Sequence, residues 1–138
     1  MKEYSFLDTL LLVNGVEISG FDEGDDVIAL ERLNDSAAHK IGTDGEMTVS
    51  ISADRSGTVI FRLMQSSDSN SYLSGLISSQ ENGAFVPIFV QFKDTRGLDL
   101  GSGSQGYINR PATMTRGTNA NSQEWTITVE KLNLLHGG

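Results

Sequence analysis

Apolar and polar residues alternate with a period of two along most of this chain, the pattern of strands with one buried face. Met47, Val49, Ile51 and Ala53 alternate with Thr48, Ser50, Ser52 and Asp54, which predicts a half-buried strand. Residues 4–13 are a long apolar-rich run ending at Asn14-Gly15, after which Val16, Ile18 and Gly20 alternate with Glu17, Ser19 and Phe21. Asn-Gly between two such runs signals a hairpin, because both central residues of a type I′ turn need positive φ. Residues 27–33, 58–65, 85–93, 106–110 and 124–132 read as further strands, with a turn at Arg55-Ser56-Gly57. Pro87 suits an edge strand or the first position of one, since proline gives the ladder no N–H.

One segment changes period. Tyr72, Leu73, Leu76 and Ile77 recur at helical spacing, behind Ser67, Asp68 and Ser69 as candidate caps and ahead of a stop at Glu81-Asn82-Gly83. Gly75 costs this helix about 1 kcal/mol relative to alanine, so the helix depends on packing against a sheet. Two stretches fit neither period. Residues 34–46 are polar, contain Gly42 and Gly45, and form a long connection of the kind that carries function. Residues 98–105 are Gly/Ser-rich and read as a flexible loop. The expected fold is mainly β: an antiparallel β-sandwich or barrel with one flanking α-helix, as a single domain over residues 1–138.

Charge adds a constraint. Of the net −8, the first 54 residues carry −9 (12 acids, 3 bases) and the remainder +1 (6 acids, 7 bases). Five acids crowd together at Asp22, Glu23, Asp25, Asp26 and Glu31. Nucleic-acid phosphates are gripped by Lys and Arg, so this surface does not hold DNA or RNA, although either could pass it without sticking. The absence of cysteine excludes disulfides, thiolate metal sites and a cysteine nucleophile. No apolar run approaches a membrane span, and the start Met-Lys-Glu-Tyr-Ser-Phe lacks the pattern of a signal peptide, so neither membrane anchoring nor secretion is expected.

Candidate chemistry is sparse. Residues 101–106 spell G-x-G-x-x-G, but a strand-like segment ended by Pro111 follows instead of the helix a dinucleotide site requires. Asp22, Glu23, Asp25 and Asp26 lack the ligand order of a calcium loop and read as a solvated acidic turn. His39 and His136 have no second ligand at metal spacing. Basic residues are dispersed and aromatic residues lie within strand patterns, which argues against a nucleic-acid stacking platform. No enzyme and no cofactor are expected.

Three stretches together resemble a known family. They are Tyr4-Ser5-Phe6-Leu7-Asp8; Ile41-Gly42-Thr43-Asp44-Gly45-Glu46-Met47 running through residues 56–63 into the helix; and residues 121–135 with Glu124-Trp125. In order and spacing they resemble the short, single-domain tail tube proteins of contractile-tailed bacteriophages. The resemblance implies a virion structural protein whose hexameric rings stack into a hollow tail tube. Each subunit would give about four strands to a barrel around a lumen that conducts DNA during ejection. It also implies sheath, tape measure and baseplate partners, assembly in the host cytoplasm, and a helix on the outer side. Within that frame Glu17, Glu31 and Glu46 are expected to face an acidic lumen, and Asp22, Glu23, Asp25 and Asp26 to lie at a ring rim. Asn34, Asp35, His39, Lys40 and Asp44 are expected in a loop reaching neighbouring subunits or rings. The alternatives are a tube subunit of a bacterial contractile injection system and a monomeric β-sandwich binding module. The latter needs an exposed aromatic platform that the single tryptophan, Trp125, does not suggest.

Overall fold

The computed structural model describes residues 9–22, 27–94, 98–118 and 121–137. Its strands are β1 (Thr9–Val13), β2 (Val16–Glu17), β3 (Ile28–Arg32), β4 (Ala37–Ile41), β5 (Met47–Ile51), β6 (Gly57–Met64), β7 (Ile88–Asp94), β8 (Asp99–Ile108) and β9 (Ser122–Leu135). The helix α1 (Ser69–Glu81) joins β6 to β7. Seven strands form one antiparallel sheet in the order β2-β1-β7-β8-β9-β6-β3, while β4 and β5 stand apart as a two-stranded hairpin.

Alternation builds the core. In β6, Val59, Phe61 and Leu63 are buried while Thr58, Ile60 and Arg62 are not; β9 continues the inner layer with Trp125, Ile127, Val129 and Leu132. Each fully buried aliphatic or aromatic side chain contributes about 1.5–3 kcal/mol of transfer free energy. The sheet does not lie flat. Leu30 on β3 and Gly101 on β8 are three strand spacings apart in sheet order, about 14 Å in a flat sheet. Yet a Cβ at Gly101 would come within 2.7 Å of Leu30 Cδ2, so the sheet curls over its own core.

The helix closes the end of this curl. Leu73 and Ile77 enter the core, with Tyr72 and Leu76 packed at its margin, as their spacing predicts. Four polar side chains fix it to strands. Ser69 Oγ accepts from the Ser19 N–H (3.0 Å), and Asn70 Oδ1 accepts from Trp125 Nε1–H (2.9 Å). The Tyr72 hydroxyl donates to the Val13 carbonyl (3.0 Å), and burial raises its pKa. Gln80 grips both backbone groups of Ile108, at 2.9 and 3.1 Å. Asp68 makes no capping bond; Ser67 Oγ accepts from the Ser69 N–H at 3.2 Å instead.

The Asn14-Gly15 turn joins β1 to β2 with both residues at positive φ (51° and 80°), as a type I′ hairpin requires. Pro87 stands just before β7, which is an interior strand, so it marks a strand start.

Two expectations about connections are corrected. Residues 98–105 are not a flexible loop, since β8 is a long interior strand between β7 and β9. Its glycines are spaces filled by neighbours: Leu30 over Gly101, and Val129 over Gly103 and Gly106. Between Gly103 and Gly106 three steps on β8 face two on β7, a bulge with Gln105 at φ 55°. Residues 34–46 are likewise not all loop, because they contain β4. The strand predicted over residues 47–53 exists as β5, but it is exposed on both faces, not half-buried.

Candidate assembly interface

The β4–β5 hairpin is built to leave the body of the subunit. Its neck is tied by the Leu33 N–H to the Ser56 carbonyl (3.0 Å) and the Ser52 N–H to the Ser36 carbonyl (2.8 Å). Across the same neck Asn34 Nδ2 donates to Asp54 Oδ2 (2.6 Å). The Ser56 hydroxyl and N–H also donate to Asp54 Oδ1, at 2.7 and 2.9 Å. These bonds, the Ser56 hydroxyl first, lower the Asp54 pKa. At the tip, the Gly42 N–H donates to the Glu46 carbonyl (2.9 Å), Gly45 adopts φ 85°, and Asp44 Oδ1 accepts from the Glu46 N–H (3.0 Å).

Register sorts the hairpin into two faces. Ala37 pairs with Ile51, His39 with Val49 and Ile41 with Met47; these six share one face, and Ala38, Lys40, Thr48 and Ser50 share the other. Every residue of both strands is exposed, Ile51 at 74% and Ile41 at 61%. An isolated two-stranded hairpin is marginal in water, and one with a bare apolar face is an association surface.

The sheet face turned away from the core divides into two regions. Toward β3, β6 and β9 it is polar: Glu31, Thr58, Thr128 and Tyr107 form one cross-strand row, Ala29, Ile60 and Thr126 the next, and Arg62 lies opposite Glu124. Toward β1, β7, β8 and β9 it is apolar. Here Leu10, Lys93, Leu100 and Leu135 form one row and Leu12, Gln91, Ser102 and Asn133 another, lining a cleft of about 590 Å³. The clue to this second region lies in the unbroken Leu10-Leu11-Leu12 run, where both strand faces are apolar. A reading that sought alternation passed over it.

The acids expected to act together lie in three settings. Glu31 is exposed in the polar row beside Thr58; Glu17 stands opposite Leu12 at the far edge of the sheet; Glu46 occupies the hairpin tip with Asp44. Asn34 sits at the hairpin neck, Asp35 just before β4, and His39 and Lys40 on opposite faces of β4. Asp22 donates its N–H to the Arg62 carbonyl (3.1 Å), whereas Glu23, Asp25 and Asp26 lie outside the described residues, as do Tyr4 to Asp8. Trp125 is 2% exposed and cannot serve as a binding platform.

The chain matches a family model described as the bacteriophage PhiTE tail tube protein over residues 1–137. It is similar to structural protein ORF10 of Pseudomonas phage KPP10, with 27% identity over 126 residues that span 88% of this chain and 70% of that one. Solved structures of like fold include the sheath/tube terminator of the extracellular contractile injection system PVC in its extended state, with TM-score 0.64, 12% identity and 98% of each chain covered. Another is the tube-terminating cap of the anti-feeding prophage, with TM-score 0.63, 8% identity, and 99% of this chain and 93% of that one covered. A chain of the extended PVC sheath-tube complex aligns with TM-score 0.59 and 13% identity over 93% of this chain and 88% of that one.

Proposed function

The chain belongs to the bacteriophage PhiTE tail tube protein family and is a non-enzymatic structural protein of the tail tube, and from that premise we propose how it builds and uses the tube. Six copies form a ring, rings stack, and the stack is the DNA conduit of a contractile tail. The observation that carries this reading is the β4–β5 hairpin, whose apolar face finds no cover within its own subunit. A protein that works alone gains nothing from such an arm; a subunit that must clasp its neighbours does.

The polar region of the uncovered sheet face is the natural bore. Its strands β3, β6, β9 and the end of β8 number four, so a ring of six would close a barrel of about 24 strands. At ~4.8 Å between strands and a tilt of 35–45°, the backbone circle is ~40–50 Å across, wide enough for duplex DNA inside the side-chain layer. Threonine hydroxyls at 58, 126 and 128 offer hydrogen bonds without positive charge, and Glu31 supplies acidic charge on the same face. Phosphates are therefore repelled and not held. Glu17 and Glu46 add negative charge from the sheet edge and the hairpin tip, and the acids at 22–26 mark a ring rim. With six copies the net −8 of the chain becomes −48 per ring.

The exposed face of α1, with Ser71, Ser74, Gly75 and Ser78, turns outward toward the sheath. The tape measure occupies the bore before ejection, and the baseplate receives the tube's end. The protein thus resides in the virion tail after assembly in the host cytoplasm. An injection-system tube would share this geometry, and the family match favours the phage tail. Size-exclusion chromatography with negative-stain microscopy tests the reading. Rings or hollow tubes are expected, and a strict monomer at high concentration would overturn it.

A further inference from the structure

We propose that the apolar face of the β4–β5 hairpin seats in the Leu10/Leu12/Leu100/Leu135 cleft of a second copy of the chain. This rests on the tube reading and specifies the contact that joins subunits. Both partners are features of one subunit that its own fold leaves uncovered: the Ile41, Met47, Val49 and Ile51 side chains on one side, the apolar region of the sheet on the other. The dimensions agree. Five-residue strands extend about 17 Å, and four strands across the cleft span about 14 Å.

Polar groups also find partners. The hairpin's apolar face carries one polar side chain, His39, which would meet the row Gln91, Ser102 and Asn133. The acidic tip, Asp44 and Glu46, would approach Lys93 in the cleft lining. Donor and acceptor surfaces are different patches of the same chain, so the contact is head-to-tail. Each copy gives one hairpin and receives one, and the repeat closes into a ring or winds into a helix. A self-complementary pair of patches points to a second copy as occupant; a tape-measure segment in the cleft is the competing outcome.

The chain has no cysteine, so introduced thiols report proximity cleanly. Full-length Val49→Cys and Leu12→Cys proteins, mixed in equal amounts and oxidised, should lose their monomer bands to a disulfide-linked dimer that neither variant yields alone. The double variant should give a ladder of linked copies. Val49→Cys mixed with Ser74→Cys, on the exposed helix face, should remain monomeric on the same gel. Tubes by negative stain without a 49–12 crosslink would overturn this contact and leave the tube reading standing. A cleft thiol that links only to tape measure in tail particles would also overturn it. Absence of both tubes and crosslinks would overturn the two together.

Discussion

Replacing Gly106 with alanine should destabilise the subunit, although alanine is the better strand residue. A Cβ at this position would meet Val129 Cγ1 at 2.8 Å, the Ile88 carbonyl oxygen at 3.0 Å and the Thr128 carbonyl oxygen at 3.1 Å. Two of the three are backbone atoms in or beside the β7 and β9 ladders, which flank Gly106 and cannot rotate aside. Overpacking of this kind costs about 1–3 kcal/mol, and relief of glycine's backbone entropy returns about 0.5–1, leaving a loss of about 0.5–2 kcal/mol. Gly75 is the matched control. It lies inside α1 with nothing within 4 Å of a Cβ, so the same substitution should stabilise by about 0.8–1 kcal/mol. For a chain of this size 1 kcal/mol moves the melting midpoint by roughly 3–5 °C, so the two variants should shift in opposite directions. The assay is thermal or urea unfolding followed by Trp125 fluorescence, on protein dilute enough to be monomeric, because assembly raises apparent stability. A Gly106→Ala protein as stable as the parent would refute the packed-strand account of β8.

Further outcomes follow from other parts of the structure. Asn70→Ala leaves the buried Trp125 Nε1–H without its acceptor and should cost about 1–3 kcal/mol in urea titrations, with a shift in Trp125 emission. Ile51→Ser, at a fully exposed position, should change monomer stability by less than about 0.5 kcal/mol yet reduce tube yield in sedimentation; a large loss of monomer stability would contradict the arm reading. Asp54 has a lowered folded-state pKa, so its contribution is present above the unfolded value and lost as pH falls through the folded one. Carboxyl NMR should give it a midpoint below that of an unstructured aspartate, with the hairpin neck loosening only under acid; a normal midpoint would contradict the bonds at the neck. Reversing Glu17, Glu31 and Glu46 to Lys should leave tubes intact by negative stain and impair DNA delivery, since lysines in a bore grip phosphate. Failed assembly with unaffected lumen charge would refute the assignment.

Strands with one buried face were legible because burial imposes a period of two. Residues 58–65 and 124–132 announce β6 and β9 through Val59, Phe61, Trp125 and Ile127, all buried in the structure. The helix was legible through Tyr72, Leu73, Leu76 and Ile77. Strands whose logic is not burial were harder to see. The glycines of β8 answer to the volumes of Leu30 and Val129, residues distant in sequence, and so imitate a loop. Strand β4, Ala-Ala-His-Lys-Ile, has no buried face at all within one subunit, so its composition reads as a polar connection. The alternation of β5 was visible, but its meaning depends on a partner surface, which a single chain's pattern does not encode. The same holds for the acids: Glu31 beside Thr58 owes its setting to strand pairing, which fixes facing only once register is known.

The most direct test of the account is a cryo-EM reconstruction of tubes grown from the purified chain or drawn from tail particles. The account predicts six subunits per ring, with Thr58, Thr126, Thr128 and Glu31 lining the bore and α1 on the outer surface. A tube whose bore is lined by α1 or by the Leu10/Leu12 region, or a preparation that never assembles, would contradict it.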